Sequence, residues 1–166
     1  MIIRSETESD IQAIALVTEI AFRTCPYGEH TEQFIISALR AAGALTVSLV
    51  AELDGHVVGH VAFSPVTISD GSGGWYGLGP VSVLPQHQRQ GIGTALINEG
   101  LSRLKARGAR GCLLVGEPTY YERLGFRSPA ALTLEGVPQK NFLALPFSKE
   151  MPKGAVTFHG AFTARA

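Results

Sequence analysis

Residues 86 to 96 read Gln-His-Gln-Arg-Gln-Gly-Ile-Gly-Thr-Ala-Leu and set two glycines two apart at the mouth of a helix. The stretch before them, Val81-Ser82-Val83-Leu84, alternates as a strand does and is closed by Pro85, while the residues after them are apolar at helical spacing. The segment is therefore a strand-to-helix turn. Such a turn leaves several backbone N–H groups without partners at the positive end of a helix dipole, where an anion is well held. No Gly-Lys-Ser/Thr follows, which excludes a nucleotide P-loop, and Leu96 stands where the dinucleotide fingerprint needs its third glycine. Spacing alone leaves two readings: a plain helix-opening turn, since glycine suits any tight turn, or an anion cradle.

Other reactive side chains are sparse. The five histidines show neither H-x-x-x-H nor Cys-partner spacing, so no metal is expected, and His60 lies in an apolar strand as a core residue would. Cys25 and Cys112 are far apart, Cys112 within an apolar run, and both are expected as buried thiols rather than a disulfide. Lys plus Arg (14) balances Asp plus Glu (14), so nothing points to nucleic acid, and any anion site must be local. Glu6, Glu8 and Asp10 stand where a signal peptide would need its apolar region, and no stretch approaches the ~18 apolar residues of a membrane span. A cytoplasmic protein with no membrane partner is expected. A chain of 166 residues, 45% hydrophobic, suits a single domain spanning 1–166.

The elements that must position the turn follow from periodicity. Met1 to Arg4 reads as a strand and Glu8 to Arg23 as a helix with Ala13, Leu16, Val17 and Ile20 facing the core. Pro26-Tyr27-Gly28 breaks the chain before a second helix, Thr31 to Ala42, whose stripe is Phe34, Ile35, Ala38 and Leu39 and which ends at Gly43. Thr46 to Leu53 and His56 to Ser69 form antiparallel strands joined at Asp54-Gly55. A loop of Ser69 to Gly74 leads to the strand ending at Leu84, and the helix after the turn runs from Ile92 to Arg107 with Leu96, Ile97, Leu101 and Leu104 inward. Gly111 to Val115 is a strand covered on both faces, so strand, helix and strand make a parallel pair. Pro118 opens a short helix that Gly125 ends, and weaker strands are expected near Ala131 to Leu134, Asn141 to Pro146 and Val156 to Phe162. The fold class is α/β: a mixed sheet, antiparallel in its N-terminal part, with a central parallel crossover.

The pattern Gln88-x-x-Gly91-x-Gly93, after Val81-Ser82-Val83-Leu84-Pro85, resembles the R/Q-x-x-G-x-G/A motif of the GCN5-related N-acetyltransferase (GNAT) superfamily. Tyr120-Tyr121-Glu122-Arg123-Leu124-Gly125-Phe126 resembles the family's Y-x-x-x-G-F segment, one helix and one strand downstream. The paired N-terminal helices and the hairpin of Leu49 to Glu52 with Val58 to Ser64 are similar too; only the chain after about Phe126 lacks a match. The nearest likeness is to a branch of small bacterial predicted acetyltransferases.

The resemblance implies a single N-acetyltransferase domain that moves an acetyl group from acetyl-CoA to a primary amine of a small molecule or protein. The amides of Gln88, Arg89, Gln90, Gly91, Ile92, Gly93 and Thr94 would wrap the pyrophosphate. The backbone of Val81 and Val83 would pair with the pantetheine arm, the Val83 N–H being a candidate donor to the thioester oxygen. Tyr121 matches the tyrosine that protonates the departing thiolate; as neighbours on a helix point differently, Tyr121 and Tyr120 cannot both face the site. Where several members carry a glutamate on the family's fourth strand, this chain has Gly77, so the base is sought among Glu29, His30, Glu32, Glu117 or an ordered water. The missing carboxylate keeps open a second reading, a catalytically weak acyl-CoA-binding sensor or interaction module. Homodimers are common in the family.

Overall fold

Strand β1 (Ile2–Ser5) leaves the sheet into a helical turn because Asp10 caps it: the Thr7 N–H donates to Asp10 Oδ2 at 2.7 Å. Arg4 donates to both Asp10 oxygens, at 2.7 and 3.0 Å, and to Glu52 at 3.0 Å, which ties strand to helix and holds the Asp10 carboxyl well below the usual carboxylate range. Helix α1 (Ile11–Arg23) and helix α2 (Glu32–Ala41) follow, then β2 (Val47–Leu53) and β3 (His56–Pro65). The structure describes residues 1–26 and 29–166 as a computed structural model, so the break expected at Pro26-Tyr27-Gly28 lies partly outside the described residues.

Asp54 and Gly55 turn the β2–β3 hairpin with positive φ at both positions, as a primed turn requires. The long strand expected from His56 to Ser69 stops at Pro65, which has no N–H to offer a ladder; β4 (Thr67–Ile68) then joins a different sheet. Strand β5 (Trp75–Val83), helix α3 (Ile92–Ala106) and β6 (Gly111–Val115) form the parallel crossover. Helix α4 (Pro118–Tyr121) runs on into a 3-10 turn over Glu122–Leu124, and β7 (Leu132–Thr133), β8 (Phe142–Pro146) and β9 (Gly154–Thr157) complete the chain. The main sheet has the order β1-β2-β3-β5-β6-β8, with β5–β6 its parallel pair, and a small sheet has the order β4-β9-β7.

Alternation gives the main sheet two unlike faces. Val47, Leu49 and Ala51 of β2 and Val61 and Phe63 of β3 pack against Ile92, Leu96, Ile97, Leu101 and Leu104 of α3 in one apolar core. The opposite face, under α1 and α2, carries Ser48, His60, Ser64 and Ser82 among its apolar residues, all buried. Two expected stripes shift accordingly. On α1 the buried residues are Ile14, Val17 and Thr18, while Leu16 is 55% exposed and flanks a shallow groove with Ala13 and Ile20. Thr18 faces Ser82 at 3.4 Å, so part of this helix packs on the polar side of the sheet and its richest apolar stripe is displaced outward. On α2 the buried residues are Ile35, Ile36 and Leu39. Cys112 is a buried thiol as expected, but Cys25 is only half-buried, in the turn after α1 where its N–H donates to Phe22 C=O at 3.1 Å.

Within the polar layer Glu6 pairs with Arg40 at 2.9 Å, accepts a short hydrogen bond from Ser48, and Ser48 Oγ meets His60 Nε2 at 2.8 Å. Burial works to raise the Glu6 carboxyl, but the bonds from Arg40 and Ser48 prevail and hold it lowered. His60 was expected as a satisfied core residue; it is wholly buried, yet its Nδ1 has no partner among the described residues. Burial lowers its pKa to about 4 against the weaker pull of Glu6, so the 4.0 Å approach of the two is not an ion pair at neutral pH.

In the unfolded chain His60 binds its proton near pH 6.5 and in the folded chain only near 4, so between these values the unfolded state holds more protons. Stability should fall as the pH drops from 7 to 4, His60 accounting for up to about 3 kcal/mol, with the carboxylate losses of Glu6 and Asp10 adding to it below about pH 5. Urea midpoints across that range should show the decline in the native chain and a flattened profile in His60→Gln; equal slopes would contradict it.

Candidate active site

The two central strands pair only from Trp75 opposite Gly111 to Gly77 opposite Leu113. Beyond that, β5 stays on β3 through Val83 and β6 stays on β8 through Val115, so a wedge opens between them. What lines the wedge follows from parity. The Leu84 N–H donates to Val58 C=O at 2.9 Å, so even-numbered Ser82 turns its backbone toward β3, and Val81 and Val83 turn theirs outward into the wedge. The Val83 carbonyl there accepts from Gln88 Nε2 at 3.0 Å. The N–H groups of Val81 and Val83 are left for a ligand that runs along the strand.

The strand leads through a 3-10 turn at Pro85–His87 to Gly91, the N-cap of α3, at φ 86°. That left-handed conformation is what glycine permits there, and Arg89 adopts positive φ as well. Among the described residues no chain partner is found for the N–H groups of Arg89 through Thr94, and Ala95 is the first to bond back, to Gly91 C=O at 3.0 Å. A side chain at Gly93 would meet nothing of this chain closer than 3.7 Å, so the open space above the amides is left to a ligand. Six amides in a row at a helix N-terminus are a site for a phosphate or pyrophosphate.

Helix α4 faces this loop across the wedge. The Tyr120 hydroxyl and Thr94 Oγ1 share a hydrogen bond of 2.7 Å, so Tyr120 braces the start of α3. Tyr121 points the other way, into the wedge, its ring edge-on to Tyr120 at 4.8 Å and to Phe126 at 6.0 Å. Burial, with smaller effects from Tyr120 and Cys112, pushes the Tyr121 phenol up to about 12, so it carries its proton at neutral pH. Cys112 itself is fully buried with its thiol raised by desolvation, and serves packing.

On the α1–α2 side the wedge becomes a cleft of about 580 Å³ lined by Phe22, Glu32, Ile35, Leu78 to Val81, Val115, Tyr121, Leu134, Glu135, Val137, Phe158 and Phe162. Of the residues sought as base or substrate contacts, it contains Glu32. Glu29 instead forms an exposed ion pair with Arg165, His30 Nε2 bonds the Cys25 carbonyl at 2.9 Å, and Glu117, at the N-cap position of α4, accepts from Thr119 Oγ1 at 3.3 Å and borders a neighbouring pocket with Lys140 and Asn141. Val81 lines the cleft together with Tyr121, and Val83 does not. Glu135, Phe158 and Phe162 come from segments with no sequence motif; only their apolar and acidic types could have marked them. A Cβ at Gly77 would sit 3.3 Å from the Phe158 ring and 3.3 Å from Val66, so the space of a side chain at that position is filled from the C-terminal segment. Among the described residues no three His, Cys, Asp or Glu gather as metal ligands, and no helix is long and apolar enough to cross a membrane.

Residues 14–126 match the Acetyltransferase (GNAT) family. The uncharacterized N-acetyltransferase YhbS of Escherichia coli K12 is 34% identical over 131 residues, covering 78% of this chain and 75% of that protein. A GNAT family acetyltransferase from Brucella melitensis, solved in complex with acetyl-CoA, superimposes with TM-score 0.87 at 51% identity over 97% of both chains. Escherichia coli YhbS in complex with CoA gives 0.86 at 29% identity, over 99% of this chain and 93% of that one.

The contact at Gly77 is directly testable. Gly77→Glu must displace Phe158 or Val66 and should lower stability by about 1–3 kcal/mol, the usual range for overpacking. A thermal melt with an unchanged midpoint would show that the C-terminal segment yields freely at this point.

Proposed function

Because the chain belongs to the GNAT acetyltransferase family, matched across residues 14–126, we propose that it moves an acetyl group from acetyl-CoA to a primary amine by direct attack on the thioester. The observation that carries this is convergence: the outward backbone of β5, the free amides before α3 and the Tyr121 phenol meet in one wedge. In this reading residues 1–166 act as one N-acetyltransferase domain in the cytoplasm, with acetyl-CoA as co-substrate and no metal. The amine is that of a small molecule or a protein.

The amides from Gln88 to Thr94, with Gly91 and Gly93 allowing close approach, hold the pyrophosphate at the positive end of α3. The outward backbone of Val83 and Val81 pairs with the pantetheine arm as an added strand would. The N–H of Val81, a residue that lines the cleft with Tyr121, donates to the thioester oxygen and stabilises the charge that develops there. Tyr121, protonated at neutral pH, hydrogen-bonds the leaving thiolate and delivers its proton to the sulfur as the amine nitrogen gives up its own to the phenol oxygen. The rival reading, an acyl-CoA-binding module without turnover, is separated by thiol release on a panel of amines.

Two variants test the halves of this reading. Gly91→Asp sets a carboxylate against the pyrophosphate and should weaken coenzyme A binding roughly tenfold or more in a chain whose melt shows it folded. Equal affinity by calorimetry would place the cofactor elsewhere. Tyr121→Phe keeps the ring and removes the proton donor, so coenzyme A affinity should hold while turnover falls ~10²- to 10⁴-fold. A fall below about threefold would reject Tyr121 as the acid, and a severe Tyr120→Phe beside it would mean that the neighbour performs the role.

A further inference from the structure

On the reading that this chain is an N-acetyltransferase, we propose that Glu32 receives the ammonium of the acceptor, and that the acceptor is a primary amine carried on an apolar, ring-bearing group. Glu32 is the first residue of α2, and one oxygen, Oε2, accepts the Thr31 N–H at 3.1 Å. The other, Oε1, is buried and has no partner among the described residues, in a side chain that lines the cleft. A carboxylate oxygen removed from water without a donor is costly, and an ammonium in the cleft is the group that removes the cost. It would lie in the same chamber as Tyr121 and the Val81 amide.

The walls choose what the nitrogen is attached to. Phe22 comes from α1, and Phe158 and Phe162 stack edge to face at 5.2 Å on the C-terminal segment, with Leu134 and Val137 nearby. Rings pack well on such edges, whereas a second ammonium or a row of hydroxyls would be stripped of water against them. The second carboxylate of the cleft, Glu135, is exposed at its rim and remains solvated.

The step balances with these groups. Glu32 takes one proton from the ammonium, and the freed nitrogen lone pair forms the C–N bond to the acetyl carbon. The C–S bond breaks with its electron pair on sulfur, Tyr121 protonates the thiolate, and the second proton lost by nitrogen restores the phenol. Glu32 then returns its proton to solvent, so one proton is released per amide formed.

The test is thiol release by the full chain with acetyl-CoA and 2-phenylethylamine, ethanolamine or spermidine, beside coenzyme A calorimetry. The expected result is a kcat/KM for 2-phenylethylamine at least ~10-fold above the other two, narrowed in Phe22→Ala, whose ring belongs to none of the core clusters among the described residues. Glu32→Gln should lower kcat/KM for that amine ~10²-fold at unchanged coenzyme A affinity, shift the pH profile, and be partly rescued in Glu32→Asp. Preference for ethanolamine or spermidine, or full activity in Glu32→Gln, would overturn the inference while leaving the acetyltransferase reading in place. Coenzyme A failing to bind, with no thiol released from any amine, would overturn that reading and the inference with it.

Discussion

A strand in the middle of a sheet ordinarily has its backbone satisfied on both sides, since each buried N–H or C=O left unpaired costs as much as a lost hydrogen bond. Here β5 meets β6 only as far as Gly77 opposite Leu113, and the rest of the molecule is arranged around the six residues of β5 that continue alone on that side. The split survives because each strand keeps its other neighbour: β3 holds β5 to Val83, and β8 holds β6 to Val115. What would be a defect elsewhere becomes an edge that a linear ligand can complete.

The two faces of the sheet then divide the work. The α3 face is an ordinary apolar core, and its rigidity sets the α3 N-terminus where β5 ends, with the Thr94–Tyr120 bond coupling that helix to the next. The α1–α2 face is laced with polar groups, from Arg40 and Glu6 through Ser48 to the neutral, buried His60. Such a layer adds little net stability, because each group gives up water for its partner, but it fixes register where apolar contacts alone would tolerate sliding.

One wall of the cleft belongs to the C-terminal segment. Phe158 fills the space beside Gly77, and Phe162 anchors that segment on Ile35 and Leu39 of α2. The chamber's chemistry is thus shared by α2, α4 and the last strands, elements from opposite ends of the chain. This explains why the missing carboxylate on β5 does not leave the cleft without one: Glu32 enters from the helix on the other wall.

What the sequence determined by itself is local. Turn chemistry at Asp54-Gly55 and Gly91, the alternation of β2 and β3, the helical spacing of Leu96, Ile97, Leu101 and Leu104, and the paired motifs around Gly91 and Tyr121 are each set by neighbouring residues, so they were legible along the chain. The choice between Tyr120 and Tyr121 was half legible: helix geometry separates them, but only the Thr94 contact says which faces the wedge. The tertiary structure alone decided where α1 buries its side chains, because that depends on a polar sheet surface contributed by β3 and β5. It alone placed Glu32 in the cleft with Glu29 and His30 bonded elsewhere, and brought in Glu135, Phe158 and Phe162. A pocket is a set of residues far apart in sequence and close in space, and no periodicity encodes that distance.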